Sequence, residues 1–408
     1  MYSLHLSPEQ LQIRDTVRDF VAREIKPLAL EAARLEASAR PLLLQAIAKA
    51  SHIGLRTLAL SEDLGGASAD NLTCCIVTEE LAVGDADVAA VLGQTSTLAR
   101  ALFESLMTAE QRARFLPAFL ADHGYHVAFA EHEEGRDATL GINYHRPQAS
   151  GPRFSTAAVR TGDEWIINGR KDRVVGASIA ALFVVRASMG GDRAATLLVS
   201  RNTPGLTVTA DEASRRWRHG ACGTLIFENC RVPAENRLAA DAARFADQGR
   251  RIPQEEALAL GIGRAAFEAA LDYAQLRVQG GRPLIEHQAI GAKLAEIAAR
   301  LEVARAAIWL AAWASDHPDA FADRSLPDLP LTTIADVFAR EAIYGVAKDA
   351  AECFGAMGVM RDIPLQKYVQ DARICLRSGM GSSEAKLRIA EALARYRRPA
   401  SAAVLAAE

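Results

Sequence analysis

The chain has 408 residues, 50% hydrophobic and 24% charged, enough to bury a large core and to divide into two or three domains. Lys plus Arg at 47 against Asp plus Glu at 50 leaves a formal net charge of −3, so nucleic acid and anionic membrane are not expected partners. The opening MYSLHLSPEQ lacks the basic-then-apolar order of a secretory signal, and no apolar run reaches the roughly 18 to 20 residues of a membrane span, so a cytoplasmic protein is expected. The six cysteines form no CxxC pair; no metal site is expected, and adjacent Cys74 and Cys75 read as buried small hydrophobes.

Ser7-Pro8-Glu9-Gln10 carries the elements of a capping box with proline at the first helical position, and Ile13, Val17, Phe20 and Val21 then recur at helical spacing. Helical patterns continue over Leu42–Ile53, Leu72–Leu81 and Val88–Phe103, broken at Gly54 and at Asp63-Leu64-Gly65-Gly66. Residues 1–122 are therefore expected to form a helical domain.

From about Val127 the period changes. Trp165 to Gly169 reads as a strand running into a turn, and Leu182–Arg186, Thr196–Ser200, Leu206–Thr209 and Thr224–Val232 are short β-rich runs between Gly, Pro and Asn. The last ends at Val232-Pro233-Ala234-Glu235-Asn236, where proline stops the ladder, giving a β domain over residues 123–239. Helices then return over residues 240–408. Glu255–Arg277 is one; Leu294, Ile297, Leu301, Ala304 and Ile308 mark the stripe of the next; Ile334–Phe354 and Glu384–Tyr396 supply two more. Asp316–Pro330, with three prolines and four aspartates, reads as a loop. The fold class is thus mainly α with a central β domain, ending in a four-helix bundle. There is no internal repeat.

Between two strong helical patterns lies Cys353–Glu384, CFGAMGVMRDIPLQKYVQDARICLRSGMGSSE. A glycine-bearing break of this kind invites a ligand. Its Gly355, Gly358, Arg361, Asp371, Ala372 and Arg373 resemble the flavin-binding segment of the acyl-CoA dehydrogenase family, and other motifs fall in the matching order. Ser61 to Gly66 is similar to the family's Pro-Glu-x-x-Gly-Gly turn. Gly93-Gln94-Thr95 sits where its pocket-lining helix passes the flavin. Ala130-Glu131 with Gly135-Arg136-Asp137 resembles Thr-Glu-Pro-x-x-Gly-Ser-Asp, and Ile167 to Lys171 resembles Leu-Asn-Gly-x-Lys. Val232 to Leu238 resembles Val-Pro-x-Glu-Asn-x-Leu, and Arg277 with Gly281 to Leu284 and Gln288 resembles Arg-x-x-Phe-Gly-x-Pro-Leu followed by Gln.

The resemblance implies FAD as cofactor, an acyl thioester as substrate and assembly as a homotetramer, a dimer of dimers. Arg277 and Gln288 would reach the partner subunit's cofactor, and Gly355, Ala356 and Gly358 would let backbone approach it. Arg136 stands where the family has serine, and Arg173 opens the segment that replaces its Trp-Ile-Thr; both are candidates for holding a cofactor phosphate or a differently charged substrate. Gln94, Thr95, Gly379 and Met380 are expected around the substrate.

The family's chemistry removes a proton α to a thioester carbonyl and passes a hydride from the β carbon to flavin, which requires a carboxylate beside the α proton. Aligned on Gln370-Asp371-Ala372-Arg373, the usual glutamate falls at Gly379 or Met380, neither of which takes a proton. Some relatives carry the base at the start of the first bundle helix, and Glu255-Glu256-Ala257-Leu258-Ala259-Leu260-Gly261 resembles that segment. Glu255 is the expected base, with Glu256 placed to repel it; Glu384 is a weaker candidate. Three activities follow: a dehydrogenase with a relocated base, a flavin-dependent monooxygenase needing no such base, or a non-catalytic subunit of a hetero-oligomer. The acyl group, and whether CoA or a carrier protein holds it, stay open.

Overall fold

The computed structural model describes residues 5–35, 40–133, 154–190, 193–210, 219–239, 252–317, 330–360, 362–377 and 382–393. The capping box forms at Ser7: its hydroxyl accepts from Gln10 N–H at 3.1 Å, Gln10 Oε1 accepts from Ser7 N–H at 3.0 Å, and α1 (Pro8–Phe20) follows. After α2 (Leu44–His52), α3 (Asn71–Gly84) and α4 (Ala86–Arg100) are separated by Asp85 alone. Its carboxylate accepts from Asp87 and Val88 N–H at 3.0 and 3.1 Å and starts α4. α5 (Ala109–Ala121) closes the first helical part.

Seven strands follow: β1 (His126–Ala130), β2 (Ala157–Thr161), β3 (Glu164–Val174), β4 (Ala180–Ser188), β5 (Ala194–Ser200), β6 (Leu206–Ala210) and β7 (Gly223–Pro233). They form one sheet in the order β1-β4-β2-β3-β7-β6, with β5 on β4, and β1 runs parallel to β4. The turn expected at Asn168-Gly169 is a bulge instead. β3 continues through it, its register with β7 shifts between Ile167 and Gly169, and Gly169 takes φ +136°. A two-residue pattern of this kind closes a hairpin only where the next run pairs back, and here that run stays on β7.

Helices return as α6 (Gln254–Leu276), α7 (Gln288–Asp316), α8 (Leu331–Cys353), α9 (Leu365–Arg377) and α10 (Ser382–Leu393). The sequence reading passed over α9, inside the segment taken as a junction. Its Leu365, Tyr368, Ala372 and Cys375 are all buried, at 3-4-3 spacing, so packing makes it a bundle helix. Among the described residues no helix is long and apolar enough to cross a membrane.

α3 is buried along its whole length and shares one hydrophobic cluster with α6, α7 and α8, so the N-terminal helices and the bundle have a common core. Two carboxylates travel inward with it. Arg264 donates to Glu79 at 2.8 Å and to Glu80 at 2.5 Å, Arg305 donates to Glu79 at 2.9 Å, and Arg18 to Glu80 at 2.8 Å. Replacing Arg264 by Ala leaves Glu79 with Arg305 and Glu80 with Arg18, each carboxylate, 3% and 2% exposed, short of a charged donor. Urea denaturation of Arg264→Ala should show a loss of about 1.5 to 3 kcal/mol.

Candidate active site

α9 is gripped from both sides near its C-terminal end. On one side His219 lies within 3.1 Å of the Asp371 carbonyl through Nε2 and 3.4 Å from the Asp87 carboxylate through Nδ1, while Gly220 N–H donates to the same Asp87 at 2.8 Å. His219 thus ties the β domain to the first turn of α4 and to α9. Burial works against its charge, but Cys375, Asp87 and Asp371 outweigh it and hold the imidazole well above the ordinary histidine pKa. Asp371 accepts from Arg40 and Lys367, each at 2.8 Å; burial opposes its ionisation, and those two cations with His219 hold it well below the usual carboxylate range.

On the other side stands Arg340 of α8, 6% exposed. Its guanidinium donates to Glu255 at 2.8 Å and Glu256 at 3.3 Å in the first turn of α6, to Asp336 on its own helix, and to the Cys375 carbonyl in the last turn of α9. That carbonyl is among the groups a helix end leaves without an intrahelical donor, and a cation there is favoured. The two glutamates part company. Glu256 is 5% exposed, and burial, with Asp336 and Glu255 against the opposing pull of Arg340, pushes its pKa well above the ordinary value. Glu255 keeps 51% of its side chain accessible. Of the pair it is Glu256, the buried member, that is pushed towards its protonated form.

α4 forms the next wall. Gln94 donates to the Val175 carbonyl at 3.0 Å, just past Arg173, which takes φ +54° and lies 3.2 Å from His132. Thr95 does not face this space: it is 1% exposed and its hydroxyl meets His126 Nδ1 at 3.1 Å, so successive helix positions send the pair in different directions. Gln94 is half-buried and turned to Val175, so the two neighbours on α4 have different surroundings. The lysine of the Asn-Gly-x-Lys motif serves the fold. Lys171 is fully buried, donates to Glu133 at 2.7 Å, and burial lowers its pKa to about 8.

The expected cofactor residues divide between the two ends of the bundle. Arg277 and Gln288 are exposed where α6 ends and α7 begins, and the stack of Tyr273 on Phe354, 4.1 Å between centroids, places Gly355 and Ala356 at that same end. Glu255 and Arg277 are 22 residues apart on or just beyond α6, roughly 33 Å along its axis. Cys353–Glu384 is therefore no single floor, because α9 carries the chain from one end of the bundle to the other. At Gly358 a Cβ would meet the Ala351 carbonyl oxygen at 2.3 Å, so close packing within the chain is by itself a reason for the glycine. Gly355, at φ +57°, ends α8. Arg136, Gly379 and Met380 lie outside the described residues, as does the side chain of Glu384. A hollow of about 300 Å³ bordered by Trp165, Met189, Arg160, Arg193 and Arg237 lies on the β domain and shares none of the residues above.

Sequence reasoning did not single out His219, Arg340 or Gln254. No local pattern marks the first two, whose partners lie 152 and 85 residues away.

A helical part, a β part and a helical bundle in this order, with the first turn of α6 tied to the end of α9 through Arg340, define an acyl-CoA dehydrogenase-like fold. The family models for the acyl-CoA dehydrogenase N-terminal, middle and C-terminal domains match residues 7–123, 128–230 and 255–394, and the chain belongs to the acyl-CoA dehydrogenase family. The short-chain specific acyl-CoA dehydrogenase of Rattus norvegicus mitochondria is 30% identical over 385 residues, 91% of this chain and 87% of that protein. The benzylmalonyl-CoA dehydrogenase of Aromatoleum aromaticum is 30% identical over 95% of this chain and 98% of its own. Among solved structures, butyryl-CoA dehydrogenase from Megasphaera elsdenii superposes with a TM-score of 0.80 at 24% identity, covering 97% of this chain and all of that one.

His219 gives the site a pH signature. Because its folded pKa is raised, the stability it contributes is full below the unfolded value of about 6.5 and is lost as pH rises through the folded value. Denaturation midpoints of the wild type should therefore fall as pH climbs from about 6.5, and His219→Gln should flatten that slope while lowering the midpoint at pH 6.

Proposed function

We propose that the protein is an FAD-dependent acyl-thioester dehydrogenase in which Glu255 is the base. One observation carries the reading. A single guanidinium, Arg340, bonds both the Glu255 carboxylate and the Cys375 carbonyl, which sets the carboxylate beside the end of α9. By the resemblance the family's usual glutamate falls at Gly379 or Met380, a few residues past α9 in sequence, and Glu255 offers a carboxylate at the end of that helix. It is accessible, as a group that takes a proton from substrate must be, whereas Glu256 is sealed and holds its own proton. Arg340 acts by position: fixed by Asp336 and the helix carbonyl, it limits the places Glu255 can occupy.

The donor set suits FAD. α7 begins with no side-chain cap, so the N–H groups of exposed Gln288 and Ala289 are left without intrahelical acceptors, and Arg277 lies beside them across the short hairpin that leads into the helix. That is a pyrophosphate-binding chemistry. Gln94 follows Gly93, which meets Gln254 beside Glu255, and Arg173 lies two residues before the Val175 that Gln94 bonds. Two sets so far apart on one chain suit a cofactor shared between subunits, and the exposed apolar side chains Leu276, Val278, Val359 and Met360 near the first set suit a homotetramer in which that end is covered. When bound, FAD takes the hydride that leaves the β carbon. Glu255 receives the α proton, and Gln94, spent on Val175, holds the α4 wall against the β domain. The relatives named above are dehydrogenases, which gives no support to oxygen insertion or to a non-catalytic role.

Anaerobic mixing of the purified flavoprotein with a panel of acyl-CoA thioesters should bleach the flavin without added reductant. Glu255→Gln should retain flavin and bleach at least about 100-fold more slowly. No bleaching by any thioester removes the dehydrogenase reading, and a variant within about threefold of wild type removes Glu255 as base.

A further inference from the structure

The hollow of about 300 Å³ on the β domain is bordered by two kinds of side chain. Val159, Met189 and the buried Trp165 give it apolar surface, while Arg160, Arg193 and Arg237 stand exposed around it. Its volume is at the lower end of those that hold small ligands. Local folding brings these residues together. The β2–β3 hairpin pairs Arg160 directly with Trp165, which sets the two side chains on one face of the sheet. The chain returns at once after β4, with Met189 N–H donating to the Arg193 carbonyl at 2.9 Å, and so carries Arg193 to the same place. Arg237 follows the end of β7. Its carbonyl accepts from Gln111 Nε2 of α5 at 2.9 Å and it bridges to Leu197 of β5, so its backbone is held from two sides. The guanidinium then lies 5.8 Å from the centroid of the Trp165 ring.

Two features of the hollow go unanswered within the chain. Trp165 is 3% exposed, and among the described residues no acceptor reaches its indole N–H. A buried donor without an acceptor is a cost that folded chains normally avoid. The second feature is charge. Among the described residues none of the three guanidiniums pairs with a carboxylate. Glu164, next to Trp165 in the chain, is taken by Arg231, and Glu235, close to Arg237, is taken by Arg114, each at 3.1 Å. Arg160 spends Nε on the Gly162 carbonyl at 3.2 Å and keeps its other donors. One negatively charged oxygen acceptor would answer both features.

We infer that this hollow is a binding site for a small organic oxyanion, a carboxylate or phosphate monoester carrying an apolar body. The oxygens accept from the Trp165 N–H and the guanidiniums, and the hydrocarbon covers Val159 and Met189. Inorganic phosphate meets the charge but leaves the apolar surface wet; a neutral alcohol does the reverse. The site shares no residue with the Glu255 end of the molecule, so it stands independently of the dehydrogenase reading.

The test is calorimetric titration of the purified full chain with phenyl phosphate and with benzoate, against inorganic phosphate and benzyl alcohol. At least one organic anion should saturate one site per chain with a Kd below about 1 mM, and both controls should bind at least about tenfold more weakly. Arg193→Gln/Arg237→Gln should weaken the organic anion at least about tenfold, with the denaturation midpoint unchanged because both side chains are exposed and unpaired. Trp165→Phe keeps a ring in place and removes the donor, and should weaken it about fivefold. No saturation by either organic anion up to about 10 mM, a control bound as tightly, or an affinity unmoved by the double arginine variant overturns the inference.

Discussion

The guanidinium of Arg340 is the point on which the active end of this molecule depends. It lies inside the protein and is bonded at once to three carboxyl groups and a helix-end carbonyl, drawn from α6, α8 and α9. A buried cation is tolerable only with such company. The company is also what gives it a structural consequence: the start of α6 cannot shift relative to the end of α9 without leaving a charge unpaired in a dry place. Glu255 inherits its position from this, while burial in the same site pushes the pKa of Glu256 well above the ordinary carboxylate value.

Around that point the fold is organised by burial of α3. A helix apolar or small on every side belongs in the middle of a molecule, and its two glutamates are carried in because Arg264, Arg305 and Arg18 meet them there. α3 in turn fixes α4 through the single-residue break at Asp85 and fixes α6 through the shared core. The arrangement of α3, α4 and α6 is thus set by core packing, while the β domain is attached to it by polar ties, Gln94 to Val175 and His219 to Asp87 and Asp371. A rigid apolar wall meets a wall held by hydrogen bonds, an arrangement suited to placing a reacting carbon precisely against a cofactor.

Much of this was legible locally. Ser7 with Gln10 wrote the first helix start, Val232-Pro233 wrote the last strand end, and the change of period near Val127 and after Ala239 wrote the order of parts. The order of motifs then carried the family. What was not legible depended on partners far along the chain. Gly169 reads as a turn until β7 is known to pair through it, and Leu365 to Cys375 read as a junction until the bundle is there to bury them. The base was placed on α6 by resemblance alone. The guanidinium that puts it beside α9 comes from residue 340, and nothing in the spacing of Asp336 and Arg340 distinguishes them from a surface i, i+4 pair. The contact of Thr95 with His126 was not legible for a related reason, because it depends on where β1 lies against α4.

Proton abstraction at the α carbon is the central step, and it can be read without any hydride transfer. Exchange of the α hydrogen of a short acyl thioester with solvent deuterium, followed by mass spectrometry, reports the base alone. The expected result is steady deuterium incorporation by the wild type, reduced at least about 100-fold in Glu255→Gln with flavin content unchanged. Equal incorporation by the two proteins would contradict the placement of the base on α6.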